Sequence, residues 1–227
     1  MALDAPGQRL ARLQSASEQL DLALAPAQLQ GLLDYLTLMQ RWNKVYNLTA
    51  LREPDEMLSH HLLDCLAALP ALRRALAAQS GPQSSPRILD VGSGGGLPGV
   101  VLALLQPDWA VDCVDAVAKK VGFIRQVAAE LNLPNLRGLH ARVERLPASS
   151  GRYALITSRA FASLLDFTNL TEPLLAEDGA WMAMKGRTPG DELAQLPVTV
   201  EVFHVEQIQV PGLDAQRCLV WMRRARA

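Results

Sequence analysis

The sequence is poor in features that would narrow its function at once. Among 227 residues there are three cysteines, Cys65, Cys113 and Cys218. They are scattered, lie in apolar surroundings and lack metal-ligand spacing, so they read as small buried hydrophobes, with no disulfide and no metal expected. No apolar stretch reaches membrane-spanning length, and the first seven residues, Met1 to Gly7, lack a basic segment leading into an apolar one. No membrane partner is therefore expected, and a cytoplasmic location follows. A formal net charge of −1 argues against strong nonspecific binding to nucleic acid. Neither an internal repeat nor a low-complexity tract is present. What remains, 49% hydrophobic and 5% aromatic residues, suffices for a full core in one α/β domain with an appendage.

The informative segment runs from Arg87 to Gly99. Ile88, Leu89 and Val91 predict a buried strand, and Gly92, Gly94, Gly95 and Gly96 permit a tight turn that brings backbone close to a ligand. Pro98 suits the first position of the next helix, whose free N–H groups would face that ligand. A dinucleotide fingerprint fits Gly94, Gly96 and Gly99 only with Pro98 inside it. The register Asp90-x-Gly92-x-Gly94-x-Gly96 resembles motif I of the S-adenosylmethionine-dependent methyltransferases instead. A second strand, from Trp109 to Val114, ends at Asp115, 23 residues after Gly92. A carboxylate there can accept both hydroxyls of an adenosine ribose in either cofactor family. An ordinary helix N-cap is the plainer alternative.

Upstream, Leu29, Leu32, Leu33, Leu36, Met39 and Trp42 form the stripe of an amphipathic helix over 26–43, opened by Pro26. A second helix is expected from Pro54 to Pro70, followed by a polar breaker from Ser80 to Pro86. This divides an N-terminal helical extension, residues 1–79, from a cofactor-binding domain, residues 80–227. Beyond the breaker, strands are expected near 87–91, 109–114, 136–140, 153–157 and 179–185. Helices near 98–106, 117–132 and 163–176 alternate with them, implying right-handed parallel crossovers. Val198 to Val210 and Cys218 to Met222 read as long strands joined through Pro211-Gly212, a hairpin that adds an antiparallel strand at the sheet edge. The predicted fold class is α/β: a Rossmann-like, mostly parallel sheet of seven strands with an antiparallel C-terminal hairpin and a helical extension. That ending suits a methyltransferase better than a dehydrogenase, which spends its second half on another βαβ set or a substrate domain.

Charge is unevenly spread. From Val117 to Ala160 there are eight basic residues (Lys119, Lys120, Arg125, Arg137, Arg142, Arg145, Arg152 and Arg159) against Glu130 and Glu144. Residues 161 to 216 reverse the balance, with nine acids against Lys185 and Arg187. Solvated helix faces explain most such runs. This one spans loops after the second and third strands, so a polyanion footprint at Lys119, Lys120 and Arg125 is the functional alternative.

Absences also bear on the methyl acceptor. Enzymes that methylate exocyclic amino groups resemble one another in an Asp or Asn, Pro, Pro, aromatic motif after the fourth strand, where this chain has Thr157-Ser158-Arg159-Ala160-Phe161. Methylation of pyrimidine C5 needs a cysteine nucleophile, and none stands at a strand end in that region. Guanine N7 has an in-plane lone pair and no proton to lose, so positioning and charge complementarity suffice. Arg159 can pair with a carboxylate, a phosphate or guanine O6, and Phe161 offers a stacking face. Both are positioning candidates, and no catalytic side chain beyond them is assigned.

Five segments then carry a family resemblance: Trp42-Asn43-Lys44-Val45-Tyr46-Asn47-Leu48-Thr49, His61-Leu62-Leu63-Asp64, Leu89 to Gly99, Ala141-Arg142-Val143-Glu144, and Ser158-Arg159-Ala160-Phe161. In order and spacing they resemble the glucose-inhibited division protein B family, over about Leu29 to Lys185. The resemblance implies S-adenosyl-L-methionine as cofactor. It also implies methylation of guanine N7 in the decoding-region loop of 16S ribosomal RNA, and a net charge of −1 set against such a target predicts a shaped site on the small subunit or an assembly intermediate rather than naked RNA. Cofactor contacts are implied at Gly92, Gly94, Leu97, Val143, Glu144 and Arg159, with Asp115 as ribose partner. The family often has Gly-Pro-Gly where this chain has Gly94-Gly95-Gly96, and Ser where it has Cys65; neither change removes a needed side chain. His61 reads as a packing or capping residue, and Asn47 and Thr49 either touch RNA or end the first long helix. A methyltransferase acting on a small molecule or protein, and a dinucleotide-binding module, stay open from the residues alone.

Overall fold

The computed structural model describes residues 5–79, 85–147, 152–159, 161 and 163–226. Helix α1 (Ala5–Gln19) precedes α2 (Pro26–Tyr46), which Pro26 opens and Asn47 closes in the left-handed region at φ 51°. Leu29, Leu32, Leu36 and Met39 of the expected stripe are buried, with Tyr35 added between Leu32 and Leu36, and Leu33 and Trp42 are partly buried. The next run is helical throughout but wound in three ways: α3 (Pro54–Met57), a π-helical turn over Leu58–Leu63, and α4 (Asp64–Gln79). It does not stop at Pro70, as the sequence reading expected. The proline forfeits one backbone hydrogen bond inside α4, but Leu66, Leu69 and Leu72 are fully buried around it and their packing carries the helix through. Most of the predicted breaker, 80–84, lies outside the described residues.

Strands and helices then alternate: β1 (Arg87–Val91), α5 (Gly99–Leu105), β2 (Ala110–Asp115), α6 (Ala118–Glu130), β3 (Leu136–His140) and β4 (Tyr153–Ser158). They continue through α7 (Leu164–Thr171), β5 (Leu175–Lys185), α8 (Gly190–Ala194), β6 (Val200–Ile208) and β7 (Arg217–Arg224). Short 3-10 turns occupy Val143–Arg145 and Glu172–Leu174, so β5 starts four residues before the expected 179, and α8 was not foreseen. Helix α5 starts after Pro98, which follows a cis Leu97–Pro98 bond rather than opening the helix.

The sheet has seven strands in the order 3-2-1-4-5-7-6. β1 to β5 run parallel, and β7 is antiparallel to both β5 and β6. The hairpin expectation holds with a refinement: its reversed strand is inserted inside the sheet, and β6 forms the edge. The residues explain this. Cys218 to Met222 is a continuous apolar run buried on both faces, whereas β6 mixes valines with Glu201, His204 and Glu206 and has no buried residue.

One hydrophobic cluster runs from Leu13, Leu36 and Leu66 in the helices through Val100 and Ile124 to Leu155 and Met182 in the sheet. A second covers the opposite face around Ile156, Phe167 and Trp181. Cys65, Cys113 and Cys218 are all buried, as expected of small hydrophobes. Among the described residues no helix is long and apolar enough to cross a membrane. Helix α2 packs on α5 and α6, with Gln28 at the end of α5 and Tyr35 at the turn after β1, so its C-terminal end reaches the edge where the parallel strands finish.

Candidate active site

At that edge the chain turns through Gly92, Gly94 and Gly96 at φ +65°, +58° and +89°. Neighbours on three sides hold the turn. Gly92 and Ser93 donate N–H groups to the Val114 carbonyl at 2.9 and 3.2 Å, and Gly94 donates to Asp115 Oδ2 at 3.0 Å. Ser93 Oγ donates to the Asp90 carbonyl at 2.7 Å, and the buried Tyr35 hydroxyl donates to the Gly95 carbonyl at 2.5 Å. The glycines face different things. A methyl added at Gly96 would lie 2.5 Å from Val100 Cγ2, and one at Gly99 would lie 2.2 Å from Cys113 Sγ, so these two serve packing. At Gly94 the nearest atom would be 3.9 Å away, which leaves that position facing open space.

Two carboxylates flank the turn. Asp115 accepts the N–H of Val117 on Oδ1 at 2.8 Å and that of Gly94 on Oδ2 at 3.0 Å, with Lys120 Nζ at 3.8 Å. The carboxylate thus braces the backbone before α6 without being its N-cap, which is Val117, and stands beside the open face of Gly94. Asp90 lies beneath. It is wholly buried, its Oδ2 accepts the Gly99 N–H at 2.9 Å, and its Oδ1 has no partner. Burial pushes this carboxyl up to about 7, against the smaller opposing effects of Gly99 and Ser93.

The end of β4 is tied to the helical extension. Arg159 donates through Nη1 to the His60 carbonyl at 2.7 Å, lies 3.4 Å from Asp64 Oδ2, and places Nη2 3.1 Å from His61 Nδ1. Asp64 also accepts from Arg217 Nε at 2.7 Å. The Phe161 ring packs tilted on Phe167 at 5.9 Å between centroids and borders the turn, since a methyl on Gly92 would come within 3.6 Å of it.

The profile of the family described as rRNA small subunit methyltransferase G, GidB, matches residues 28–220. This chain belongs to the GidB family. A Polaromonas protein named ribosomal RNA small subunit methyltransferase G is 58% identical over 211 residues, covering 93% of this chain and 92% of its own length. One of the same name from Leptothrix cholodnii is 57% identical, covering 93% and 94%. Among solved structures, a SAM dependent methyltransferase from Aquifex aeolicus matches with TM-score 0.55 at 14% identity, over 78% of this chain and 96% of that one. TrmN from Thermus thermophilus matches with TM-score 0.54 at 23% identity, over 74% of this chain and 53% of its own. These two likenesses concern the fold alone.

Within this GidB chain the predicted positions divide. Gly92, Gly94, Leu97, Asp115, Arg159 and Phe161 converge where β1, β2 and β4 end. Val143 and Glu144 sit in the 3-10 turn after β3, Val143 buried and Glu144 exposed 3.9 Å from Arg142. Lys119 is exposed in the first turn of α6 beside Lys120. Arg125, two turns into α6, donates through Nε to the Gly138 carbonyl. The basic run does not form one surface, a correction to the sequence reading. Arg137 pairs with Asp112, and Arg152, just before β4, donates to the Leu175 carbonyl, both away from the strand C-termini. Asn47 closes α2, and Thr49 Oγ1 lies 2.9 Å from His61 Nε2. Sequence reasoning missed Tyr35, Asp64 and Arg217 as site neighbours. For Tyr35 a signal existed: a hydroxyl on a leucine-lined core stripe needs a partner once buried.

Proposed function

We propose that this chain is an S-adenosylmethionine-dependent methyltransferase acting in the cytoplasm on 16S ribosomal RNA, with guanine N7 in the decoding-region loop as acceptor. The observation that carries the reading is a glycine turn open to solvent at Gly92 and partly at Gly94 and Gly95, with room above Gly94 and Asp115 beside it, in a chain of the GidB family. The residues present fit the cofactor. Gly92 and Gly94 supply backbone free of side chains and Leu97 follows them, Asp115 supplies acceptors for a ribose, and Val143 and Glu144 follow on the next strand end. Arg159 supplies positive charge for the carboxylate of the methionine moiety. A strand order with β7 reversed between β5 and β6 disfavours the dinucleotide alternative, whose sheet continues in parallel.

The cofactor brings a methyl group on a cationic sulfur, so the protein has only to hold donor and acceptor in line. Nothing in the site acts as a general base, and N7 requires none. The three thiols are unsuited to nucleophilic attack, because burial raises each of them and keeps it protonated. Arg159 and Phe161 orient the base by charge and stacking. Lys119, Lys120 and Arg125 are the proposed RNA contacts, Lys119 being the most open. With a net charge of −1 and its basic residues dispersed, the chain recognises a shaped site on the small subunit or an assembly intermediate. The test is methyl transfer to isolated small subunits against deproteinised RNA at matched salt, with the product mapped by mild reduction and aniline cleavage. One cleavage, on particle RNA, is expected. Methylated adenine or cytosine overturns the acceptor, and equal activity on naked RNA overturns the particle.

A further inference from the structure

Arg159 stands at the end of β4, yet its guanidinium is held by residues 95 to 99 positions earlier, all on the π-helical turn and the first residue of α4. A guanidinium only donates hydrogen bonds, so a ring nitrogen facing it must be unprotonated. His61 Nδ1, 3.1 Å from Arg159 Nη2, is therefore the acceptor, and the ring proton resides on Nε2, which donates to Thr49 Oγ1 at 2.9 Å. The tautomer follows from the partners alone. Burial, and then the Arg159 charge, pull the ring down to about 4, so it stays neutral through the physiological range. Thr49 is fixed in its turn, its N–H donating to Asn43 Oδ1 at 2.9 Å at the end of α2. Asp64 is shared between Arg159 and Arg217, so the group keeps one uncompensated positive charge.

We propose that His61 is a positioning residue for Arg159, and that through it the helical extension sets the guanidinium direction on which cofactor affinity depends. The inference rests on the assignment of Arg159 to the cofactor and adds what makes that arginine effective. A fork of donors is selective only when its plane is fixed, and an acceptor on Nη2 with a carbonyl on Nη1 fixes it. The π-wound turn brings the His60 carbonyl, His61 and Asp64 to bear on one guanidinium, a use of such turns that recurs at functional sites.

The experiment compares S-adenosylmethionine affinity, by calorimetric titration without RNA, in the wild type, Arg159→Leu, His61→Leu and His61→Asn, with thermal melts of each. Asn offers its Oδ1 as an acceptor near where Nδ1 stood. Arg159→Leu and His61→Leu are each expected to lose about tenfold or more, the scale of one hydrogen bond to a charged group, and His61→Asn to recover to within about threefold. Unchanged affinity in Arg159→Leu overturns both the assignment of Arg159 and this inference. Loss in Arg159→Leu with unchanged affinity in folded His61→Leu, or no recovery in folded His61→Asn, overturns the inference alone. A measurement on the wild type needs no variant to fold: imidazole 15N shifts at pH 7 are expected to show His61 neutral and protonated on Nε2. A proton on Nδ1 overturns the proposal.

Discussion

Asp112 and Asp90 sit on adjacent strands, one register step apart, and both are buried, but their surroundings are opposite. Asp112 receives Arg137 Nε and Nη2 at 2.6 and 2.7 Å, Arg87 Nη2 at 3.0 Å and the Tyr153 hydroxyl at 2.8 Å. Burial pushes its carboxyl up, but these donors outweigh it and hold the group below the ordinary aspartate range. Asp90 has one backbone N–H and a thiol, one oxygen without a partner, and a carboxyl raised to about 7. Both oxygens of Asp112 are satisfied by side chains of the protein, and the group serves stability. Beneath the glycine turn one carboxylate oxygen has no partner among the described residues.

The sharpest way to break this contrast is in the glycines. Gly94→Val should lose cofactor affinity by more than about a hundredfold, because its side chain occupies the open face. The positive φ should cost only about 2 kcal/mol, a fall in melting temperature of about 4–8 °C. Gly99→Ala should do the reverse and fail to fold well, because its methyl has no room beside Cys113 and Asp90. Cofactor titration with paired melts decides, and a folded Gly94→Val with normal affinity removes the turn from the site. Next in size, Asp112→Ala should cost about 3 kcal/mol in denaturant titration while cofactor affinity holds, since it removes the acceptor of the paired Arg137 bonds and of the buried Tyr153 hydroxyl without touching the turn. Loss of binding in the folded variant would blur the division.

Asp90 predicts a pH dependence of opposite sign to the usual acid. Its folded pKa of about 7 lies above the unfolded value of 3.8, so the folded state binds the extra proton. The contribution is fully present below about 4 and is lost as pH rises through about 7. Asp90→Asn should remove that slope and raise the melting temperature at pH 8 relative to wild type; an unchanged slope would place its origin elsewhere. The smallest effect belongs to the rim. Lys119→Glu should raise the KM for small subunits a few-fold at low salt with cofactor affinity unchanged, and Lys120 is the poorer choice because it stands 3.8 Å from Asp115. An unchanged KM would exclude Lys119 from the RNA surface.

Much of this was legible because the signals were local. Residues 87–91 and 136–140 were found to the residue, and Cys218 to Met222 was found as a strand, although it was expected at the sheet edge and stands inside the sheet. Pro70 misled, because a proline is a local break while the leucines that override it are tertiary. The start of β5 was missed since Leu175 and Ala176 were given to the preceding helix and Glu177 and Asp178 to neither element, although all four extend the strand. In the site, Gly92, Gly94 and Asp115 announced themselves through strand-end spacing. The grip of His61 and Asp64 on Arg159 did not, because no periodicity connects residues nearly a hundred positions apart.

The tie between α2 and the turn has a kinetic corollary. Fixing a run of glycines costs more backbone entropy than fixing other residues, and here part of that cost is met by the Tyr35 hydroxyl on the Gly95 carbonyl and by Met39, whose Cε lies within reach of Gly95. The middle of the turn therefore belongs to the same cooperative unit as the helix, not to the strand it follows. Amide hydrogens around Gly95 should exchange with solvent when α2 undocks, well before those of β1 are released.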